Sequence, residues 1–580
     1  MKTPAIIQAV MLVCAACAVA QRRRVLWLLA SALQPPATAL SLPSSALWLT
    51  AFVAGIALGG AGCAKRETPV QAGIRTQALL VGNVAEPADL DPHVVGGGQE
   101  RNIMHALFEG LTAPDKDGNG IPAAAERWEV SADGLRWTFH LRPNLRWSNG
   151  DALTAADFVF SFQRVLTPGF PATDYGYWLW HLKGGEAFSR GRSGDFSSVG
   201  AKALDDRTLR LELARPTPYL PALACQWTWL PVHRPTLEKF SAVAKRGTRW
   251  TRPGNLVGNG PFTLTAWEPH ARIVVSKNFH YWNAGRIQLN QIVFFPIEKP
   301  EVEENSFRAG QLHVTWEVPE VKISGYRVQQ PTPLVLQPVL GPEYLFFNVT
   351  QPPLDNPRVR RALALAIDQE MISRAVTRGT FPPAFSFTPP NCGGYTARTR
   401  IRCDFAEARK LLADAGFSGG KGLPPLSVQT REVERRVRTL EAIQAMWQRE
   451  LGVRLTIERT EHKVLLDNVR AKSHTIGLLG WPADYPDPAA LLEPFVTGGT
   501  NNWTGWSNPA YDRLIDEAAN TADQQARFEL FQRAEALLLE EAPVAPILFI
   551  TRAHLVHPAV KNWSSTVLDQ RVYARASLSN

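Results

Sequence analysis

The chain has 580 residues, 45% hydrophobic and 20% charged, which is ordinary for a globular protein but too long for a single hydrophobic core. Its formal net charge of +9 falls to +5 (9 − 4) once the four basic residues of the first 62 are set aside. The other Lys and Arg are scattered among acids with no basic run longer than a pair, which excludes a nucleic-acid-binding stripe.

Residues 1–63 are predicted to be an export leader. An apolar stretch rich in small residues, 46–58, runs into Gly-Gly-Ala-Gly and then Cys63. This resembles a bacterial lipoprotein signal, whose cysteine is acylated, although Gly60 stands where that pattern has a bulky aliphatic residue. The alternative is one or two transmembrane helices, but prolines interrupt the region and no segment gives 20 apolar residues. We expect an exported protein anchored through Cys63, in the periplasm or on the outer face of the cytoplasmic membrane.

The six cysteines are compatible with export. Cys14 and Cys17 fall in the leader, so their spacing is taken as incidental. Cys392 and Cys403 flank an arginine-rich loop, and either a local disulfide or two free thiols fits an oxidising compartment. Cys225 is expected to be a small buried apolar residue.

Hydrophobic periodicity predicts strands and helices after a polar tether at 64–77. Strands are predicted at 79–84, 137–141, 209–213, 271–276, 291–297, 475–479 and 544–550. Helices are predicted at 154–165, 405–415, 434–450, from 509 onward, and at 524–541. A strand-rich stretch at 109–231, followed by helices from 358 onward, predicts α/β lobes with an inserted β-rich domain.

Catalytic signatures are absent from the sequence. There is no zinc-binding helix motif, no nucleophile elbow and no phosphate-binding glycine loop, so no catalytic residue, metal or cofactor is predicted. Residues 115–126 match the calcium-loop pattern, but Pro122 falls where that loop uses a backbone N–H, and the flanking segments are predicted strands. We expect an ordinary surface turn there.

Asp484 is the most informative single residue. It lies between two aromatic residues in the loop that follows the predicted strand 475–479. In open α/β sheets, ligands bind beyond the carboxyl ends of the strands. An acid at this position either forms a turn or accepts a cation.

Several segments, in order from about residue 78 to the end, resemble the family-5 extracytoplasmic solute-binding proteins, and most of all the bacterial oligopeptide-binding proteins of ABC importers. The segments include Leu-Asp-Pro-His at 90–93, Leu-Phe-Glu-Gly-Leu at 107–111, Arg-Trp-Ser-Asn-Gly at 146–150, Asn-Gly-Pro-Phe-Thr-Leu at 259–264, and 480–488. The resemblance implies an α/β, two-lobed periplasmic-binding-protein clamshell (type II, large cluster) with an additional inserted β-rich domain.

The implied division is a discontinuous lobe I, an inserted domain II and a lobe III. Lobe I would comprise residues 78–108, 232–337 and 553–580, domain II residues 109–231, and lobe III residues 338–552. The implied activity is the capture of an oligopeptide between the lobes by a monomer, followed by delivery to an ABC permease in the inner membrane.

The resemblance also assigns site residues. Asp484 matches the position that binds the peptide α-ammonium. Gly480 and Trp481 match positions that contact the ligand backbone and wall a pocket, although core packing is the alternative for Trp481. Tyr175 matches a ligand-facing tyrosine.

Three further positions depart from the family or could receive the peptide carboxylate. His462 stands where the family has a tryptophan, Arg436 where it has a histidine, and Arg470 aligns with a pocket arginine. Arg436 and Arg470 could bind the carboxylate or be solvated surface residues. A receptor of the same fold for a metal chelate, an opine or a glycan, or an exported hydrolase, remains the alternative function.

Overall fold

The computed structural model describes residues 67–579, so the predicted leader and its Cys63 lie outside the described residues. Within this part of the chain, no helix is both long and apolar enough to cross a membrane. The strands are β1 (Ala78–Gly82), β2 (Thr112–Pro114), β3 (Gly120–Pro122), β4 (Ala125–Val130), β5 (Arg136–Leu141), β6 (Ala201–Asp205), β7 (Thr208–Glu212), β8 (Phe262–Glu268), β9 (Arg272–Lys277), β10 (Gln291–Phe295), β11 (Leu334–Phe347), β12 (Leu426–Arg431), β13 (Leu455–Thr460), β14 (Ile476–Gly480), β15 (Val544–Leu555), β16 (Val560–Lys561), β17 (Ser564–Ser565), β18 (Arg571–Val572) and β19 (Ser577–Leu578).

Helices connect and cover these strands. They are α1 (Pro69–Thr76), α2 (Gly98–Leu107), α3 (Ala155–Leu166), α4 (Gly185–Ser189), α5 (Leu220–Leu223), α6 (Arg234–Lys239), α7 (Pro300–Arg308), α8 (Glu320–Arg327), α9 (Pro357–Leu365), α10 (Gln369–Ala375), α11 (Phe405–Asp414), α12 (Glu434–Leu451), α13 (His462–Arg470), α14 (Ala489–Leu492), α15 (Pro509–Ala519) and α16 (Gln524–Glu541). A 3-10 helix at Asp174–His181 also borders the site described below.

Three sheets organise the described residues. The first has the strand order β1-β10-β9-β8, with β1 parallel to β10. The second, β4-β5-β7-β6, is antiparallel throughout. The third has the order β13-β12-β14-β11-β15, and β12 runs parallel to both of its neighbours.

The burial of the strands follows their sequence patterns. In β5, Trp137, Phe139 and Leu141 are buried while the residues between them face outward, which is the period of two expected for a half-buried strand. β14 is buried along Ile476 to Leu479, because a central strand covered on both faces needs a continuous apolar run. Both strand predictions are confirmed.

Helix ends also follow local signals. Thr154 and Asp157 form a reciprocal capping box at the start of α3. Asn508 caps α15, whose first residue is Pro509. α12 ends at Gly452, which adopts the left-handed conformation. The predicted helices at these places are confirmed to within one or two residues.

Two segments differ from the sequence-based expectation. The stretch predicted as a polar tether is helical at α1, because Thr68 forms a capping box with Gln71 and Val70 is buried. β15 extends to Leu555 because its second half pairs with β11, beyond a register shift between Pro338 and Pro342.

A turn at 115–119 joins β2 to β3, and three cysteines lie among the described residues. Asp115 accepts hydrogen bonds from the backbone N–H groups of Asp117 and Asn119 in the β2–β3 turn, which confirms a surface turn rather than a calcium loop. Cys225 is buried, as expected. Among the described residues Cys392 and Cys403 are both unpaired, so the free-thiol alternative holds. The predicted domain boundaries stay a prediction.

Candidate ligand-binding site

A cavity of about 1500 Å³ lies between two parts of the chain, residues 165–190 and residues 431–507. The first part comprises the end of α3, the 3-10 helix Asp174–His181 and the start of the loop that follows α4. The second comprises the carboxyl ends of β12 and β14 with the helices and loops after them. All seven residues predicted to contact ligand line this cavity: Tyr175, Arg436, His462, Arg470, Gly480, Trp481 and Asp484.

Asp484 presents the only carboxylate of its loop that is not neutralised by a described cation. Its Oδ2 is 3.5 Å from the Tyr177 hydroxyl, a long hydrogen bond. Burial raises the pKa of Asp484 to about 6, while the nearby positive charge of Arg101 and the Tyr177 hydroxyl act to lower it. A partly desolvated anion without a partner binds a cation more strongly than the same group in water.

The backbone of Asp484 is held from a distant part of the chain. Nε2 of the Gln226 side chain donates to the main-chain carbonyl oxygen of Asp484 at 2.7 Å. Oε1 of the same side chain accepts from Nε2 of Gln570 at 3.1 Å. The Ala483 amide donates to the carbonyl of Leu340 at 2.6 Å. The loop is therefore fixed through main-chain atoms, which leaves the Asp484 carboxylate available to a ligand.

Asp487, three residues further along, has a different environment. It forms an ion pair with Arg527, and both side chains are about 2% exposed. Tyr485, between the two acids, stacks on Tyr219 with ring centroids 4.3 Å apart. Asp487 and Tyr485 therefore anchor the loop, while Asp484 faces the cavity.

Aromatic residues form the wall opposite Asp484. Tyr175 packs against Trp178 and Trp227, with ring centroids 4.8 and 4.9 Å apart. Burial and the charge of Asp484 raise the pKa of Tyr175. The guanidinium of Arg101 lies 4.9 Å from the centre of the Trp227 ring. Tyr175 and Tyr177 line the cavity, and the buried tryptophans behind Tyr175 hold its ring in place.

Gly480 and Trp481 form the floor beside Asp484. Gly480 pairs with Glu343 of β11. A Cβ added to Gly480 would lie 3.2 Å from Nη2 of Arg436, so the absence of a side chain at Gly480 lets Arg436 approach the strand closely. Trp481 is half-buried, packs edge-on against Trp503 at 5.5 Å, and donates its indole N–H to the Ala490 carbonyl at 3.3 Å. Trp481 therefore both packs in the core and lines the cavity.

Basic residues form another wall, here called the basic wall: Arg431, Arg436, His462, Arg470 and Lys472. Nε of Arg436 donates to Glu343 at 2.7 Å, and Glu343 also binds Arg435. Burial alone would raise the pKa of Glu343, but the two guanidinium groups hold it at about 2. Arg436 is therefore already paired through Nε, while its Nη groups form no hydrogen bond with the described residues. Arg470 is exposed and lies 3.9 Å from Asp467.

Several lining residues are not singled out by the sequence reasoning. Tyr177 lies two residues after Tyr175 in the same Tyr-Gly-Tyr segment. Arg431 is the last residue of β12, the strand next to β14. The rule that ligands bind beyond the carboxyl ends of strands, which points to Asp484, would also have pointed to Arg431. Nothing in the sequence marks Lys472 or Glu493, which reach the cavity only through the fold.

Known proteins resemble the chain over most of its length. The family model for bacterial extracellular solute-binding proteins, family 5 Middle, matches residues 119–503. The periplasmic oligopeptide-binding protein OppA of Salmonella typhimurium is 32% identical over 544 residues, which is 91% of this chain and 96% of the relative. The oligopeptide-binding protein OppA of Bacillus subtilis is 33% identical, over 80% of this chain and 86% of the relative. The probable deoxycholate-binding periplasmic protein YgiS of Escherichia coli is 33% identical, over 89% and 95%.

Solved structures match as well. The murein tripeptide binding protein MppA of Escherichia coli superposes with a TM-score of 0.74 at 28% identity, covering 87% of this chain and 98% of that protein. OppA of Haemophilus influenzae in complex with the peptide RPPGFSPFR gives a TM-score of 0.72 at 29% identity, covering 87% and 99%. The predicted two-lobed α/β fold of the periplasmic binding proteins is confirmed.

Proposed function

Because the chain belongs to the bacterial extracellular solute-binding proteins of family 5, we propose that it is the peptide-binding component of an ABC importer, which captures oligopeptides in its cavity and delivers them to a membrane permease. The relatives named above are binding proteins. The OppA proteins of Salmonella typhimurium and Bacillus subtilis bind oligopeptides, and the two superposed structures are of a tripeptide-binding protein and of an OppA with a bound peptide. The proposed site of action is the periplasm, the location printed in the names of the Salmonella OppA and of YgiS. Attachment through an acylated Cys63 and function as a monomer are part of the proposal.

The proposal rests on the unpaired carboxylate of Asp484 at the cavity wall. A free peptide always carries an α-ammonium, so a receptor that accepts many sequences needs one fixed anion for it. The remainder of the ligand offers backbone groups, which can be bound without regard to side chains. Gly480, Trp481 and Tyr175 surround the place where such a backbone would begin.

Arg436, His462 and Arg470 are proposed to face the carboxyl-terminal part of the peptide. They lie on α12 and α13, and all three line the same cavity as Asp484. Arg436 supports this role with its Nη groups only, because its Nε is committed to Glu343.

The lobe boundaries are also proposed as the resemblance implies. Lobe I would be 78–108, 232–337 and 553–580, domain II 109–231, and lobe III 338–552. The first sheet takes its strands from the proposed lobe I and the second from domain II, while the third sheet lies almost wholly within lobe III. β11 and β15 run past the proposed boundaries at 337 and 553, so these two strands would connect the lobes.

Titration calorimetry and thermal unfolding with tri- to pentapeptides of alanine test the function. Each peptide is used with a free and with an acetylated amino terminus, and deoxycholate is included as a non-peptide ligand. Peptide at a hundredfold excess over Kd stabilises the fold by about 2.7 kcal/mol. We expect this for the free peptides and little response to the acetylated ones.

Equal binding of acetylated and free peptides would contradict the role of Asp484. A response to deoxycholate alone would indicate a non-peptide receptor, as the name of YgiS suggests for that relative. Cleavage of the peptide, seen by mass spectrometry after incubation, would indicate a hydrolase.

A further inference from the structure

The basic wall carries positive charge that the described residues do not neutralise. The guanidinium of Arg431 and the Nζ of Lys472 form no hydrogen bond or ion pair within residues 67–579. Arg470 has only the 3.9 Å approach to Asp467. Glu461, the nearest acid in sequence to His462, already accepts hydrogen bonds from two backbone N–H groups at the start of α13.

The charges on this wall also repel one another. Burial and the charge of Arg436 lower the pKa of Arg431. Burial and the charge of Arg431 lower the pKa of His462, against the opposing influence of Glu461. Mutual repulsion of this kind marks a surface of positive potential, which a bound anion would relieve.

A peptide held at Asp484 would reach this wall with its later residues. β12 and β14 are adjacent and parallel, so Arg431, the last residue of β12, and Asp484, four residues past β14, are at the same edge of the sheet. Neighbouring strands lie about 4.8 Å apart, and an extended chain advances about 3.3–3.6 Å per residue. The side chains of the second and later residues of the ligand would therefore come within reach of Arg431 on the basic wall.

We propose that the basic wall selects peptides with acidic side chains, and that Arg431 and Lys472 are the residues that bind those carboxylates. The proposal rests on the proposed peptide-binding function and adds a substrate class to it. Arginine suits this role because its planar guanidinium can bind a carboxylate through two parallel hydrogen bonds. Lys472, four residues before β14, lines the same cavity and adds a compact point charge there.

The test uses tetrapeptides of alanine with an amidated carboxyl terminus, so that no terminal carboxylate is present. Glutamate or its uncharged isostere glutamine replaces alanine at the second, third or fourth position, and Kd is measured by titration calorimetry. We expect at least one glutamate peptide to bind about 10- to 150-fold more tightly than its glutamine counterpart, the range for a hydrogen bond to a charged group.

Two variants locate the effect. Arg431→Gln and Lys472→Gln are each expected to reduce the glutamate-to-glutamine ratio severalfold or more. Arg454→Gln is the matched control, because Arg454 is exposed, precedes β13 in the same sheet and does not line the cavity. It removes the same unit charge and is expected to leave the ratio unchanged.

The outcomes separate the two proposals. If the alanine peptide binds and glutamate and glutamine peptides bind equally at every position, the basic wall has no selective role while the peptide-binding function stands. If Arg454→Gln lowers the ratio as much as Arg431→Gln, the preference comes from net charge and the assignment to the wall is wrong. If no peptide binds, the proposed function fails and the selectivity with it.

Discussion

Asp487 and Arg527 are joined by two hydrogen bonds, of 2.6 and 2.7 Å, that use both oxygens of the carboxylate. The carboxylate of Asp484, in the same loop, has among residues 67–579 only the long contact with the Tyr177 hydroxyl. Two aspartates three residues apart thus have opposite environments. Asp487 is neutralised inside the protein, whereas the carboxylate of Asp484 lines a cavity without a counter-ion among the described residues. This difference allows ligand binding and fold stability to be separated by mutation.

Asp484→Asn and Asp487→Asn should have different effects. Asp484→Asn is expected to cost about 2–5 kcal/mol of peptide-binding free energy, at least about thirtyfold in Kd, because the ammonium loses its counter-ion. The melting temperature should stay the same or rise, since burial disfavours the charged form of Asp484. Asp487→Asn leaves the buried Arg527 without a counter-ion and should cost roughly 3–5 kcal/mol of folding free energy. Calorimetry and thermal unfolding measure both effects, and a stable Asp487→Asn variant would contradict the structural role.

Peptide affinity should have a bell-shaped dependence on pH. The pKa of Asp484 is about 6, so below pH 6 its carboxylate becomes protonated and Kd should rise by up to about tenfold per pH unit. On the alkaline side the α-ammonium of the peptide loses its proton near pH 8. The highest affinity is therefore expected between about pH 6 and pH 8. In Asp484→Asn the acid limb should disappear, and a limb that persists there would assign it to another group.

Arg101→Gln should move the acid limb to higher pH. The positive charge of Arg101 lowers the pKa of Asp484, and its Nε is buried with no hydrogen-bond partner among the described residues. Removing the charge should raise the pKa of Asp484 above about 6, so that affinity begins to fall at a higher pH. Arg101→Lys keeps the charge and should restore the original profile. An identical pH profile in Arg101→Gln would show that Arg101 does not act on Asp484.

Gly341→Ala should destabilise the protein and disturb the binding loop. A Cβ at this position would lie 2.2 Å from the carbonyl oxygen of Trp481, a main-chain atom that the strand holds in place. Overpacking of this kind costs typically about 1–3 kcal/mol. Gly325→Ala is the control, because within residues 67–579 no atom other than those of its neighbours in the chain and its own helix lies within 4 Å of the added Cβ. Gly325 is inside α8, where alanine should stabilise by about 0.5–1 kcal/mol. Equal melting temperatures for the two variants would contradict the steric argument.

Much of the fold follows from local signals in the sequence. β5 and α12 are recognised because their buried residues recur with periods of two and of about 3.6. α1 is missed because its polar sequence hides a capping box and one buried valine. The full length of β15 is missed because its last residues are held by pairing with β11, a partner about 200 residues away.

The candidate site divides in the same way. Asp484 stands out because an acid follows a buried strand at the edge where ligands bind. The sequence alone does not distinguish its role from that of Asp487, because the difference lies in Arg527, forty residues further on. Gln226, Lys472 and Glu493 come to the site only through tertiary packing, for which no local pattern exists.

The loop that carries Asp484 is fastened through its main chain, by Gln226 and by the Leu340 carbonyl. Main-chain atoms are the same in every amino acid, so exchanges of the cavity-facing side chains leave those fastenings intact. Related receptors can therefore evolve different ligand preferences while keeping the same loop structure and fold.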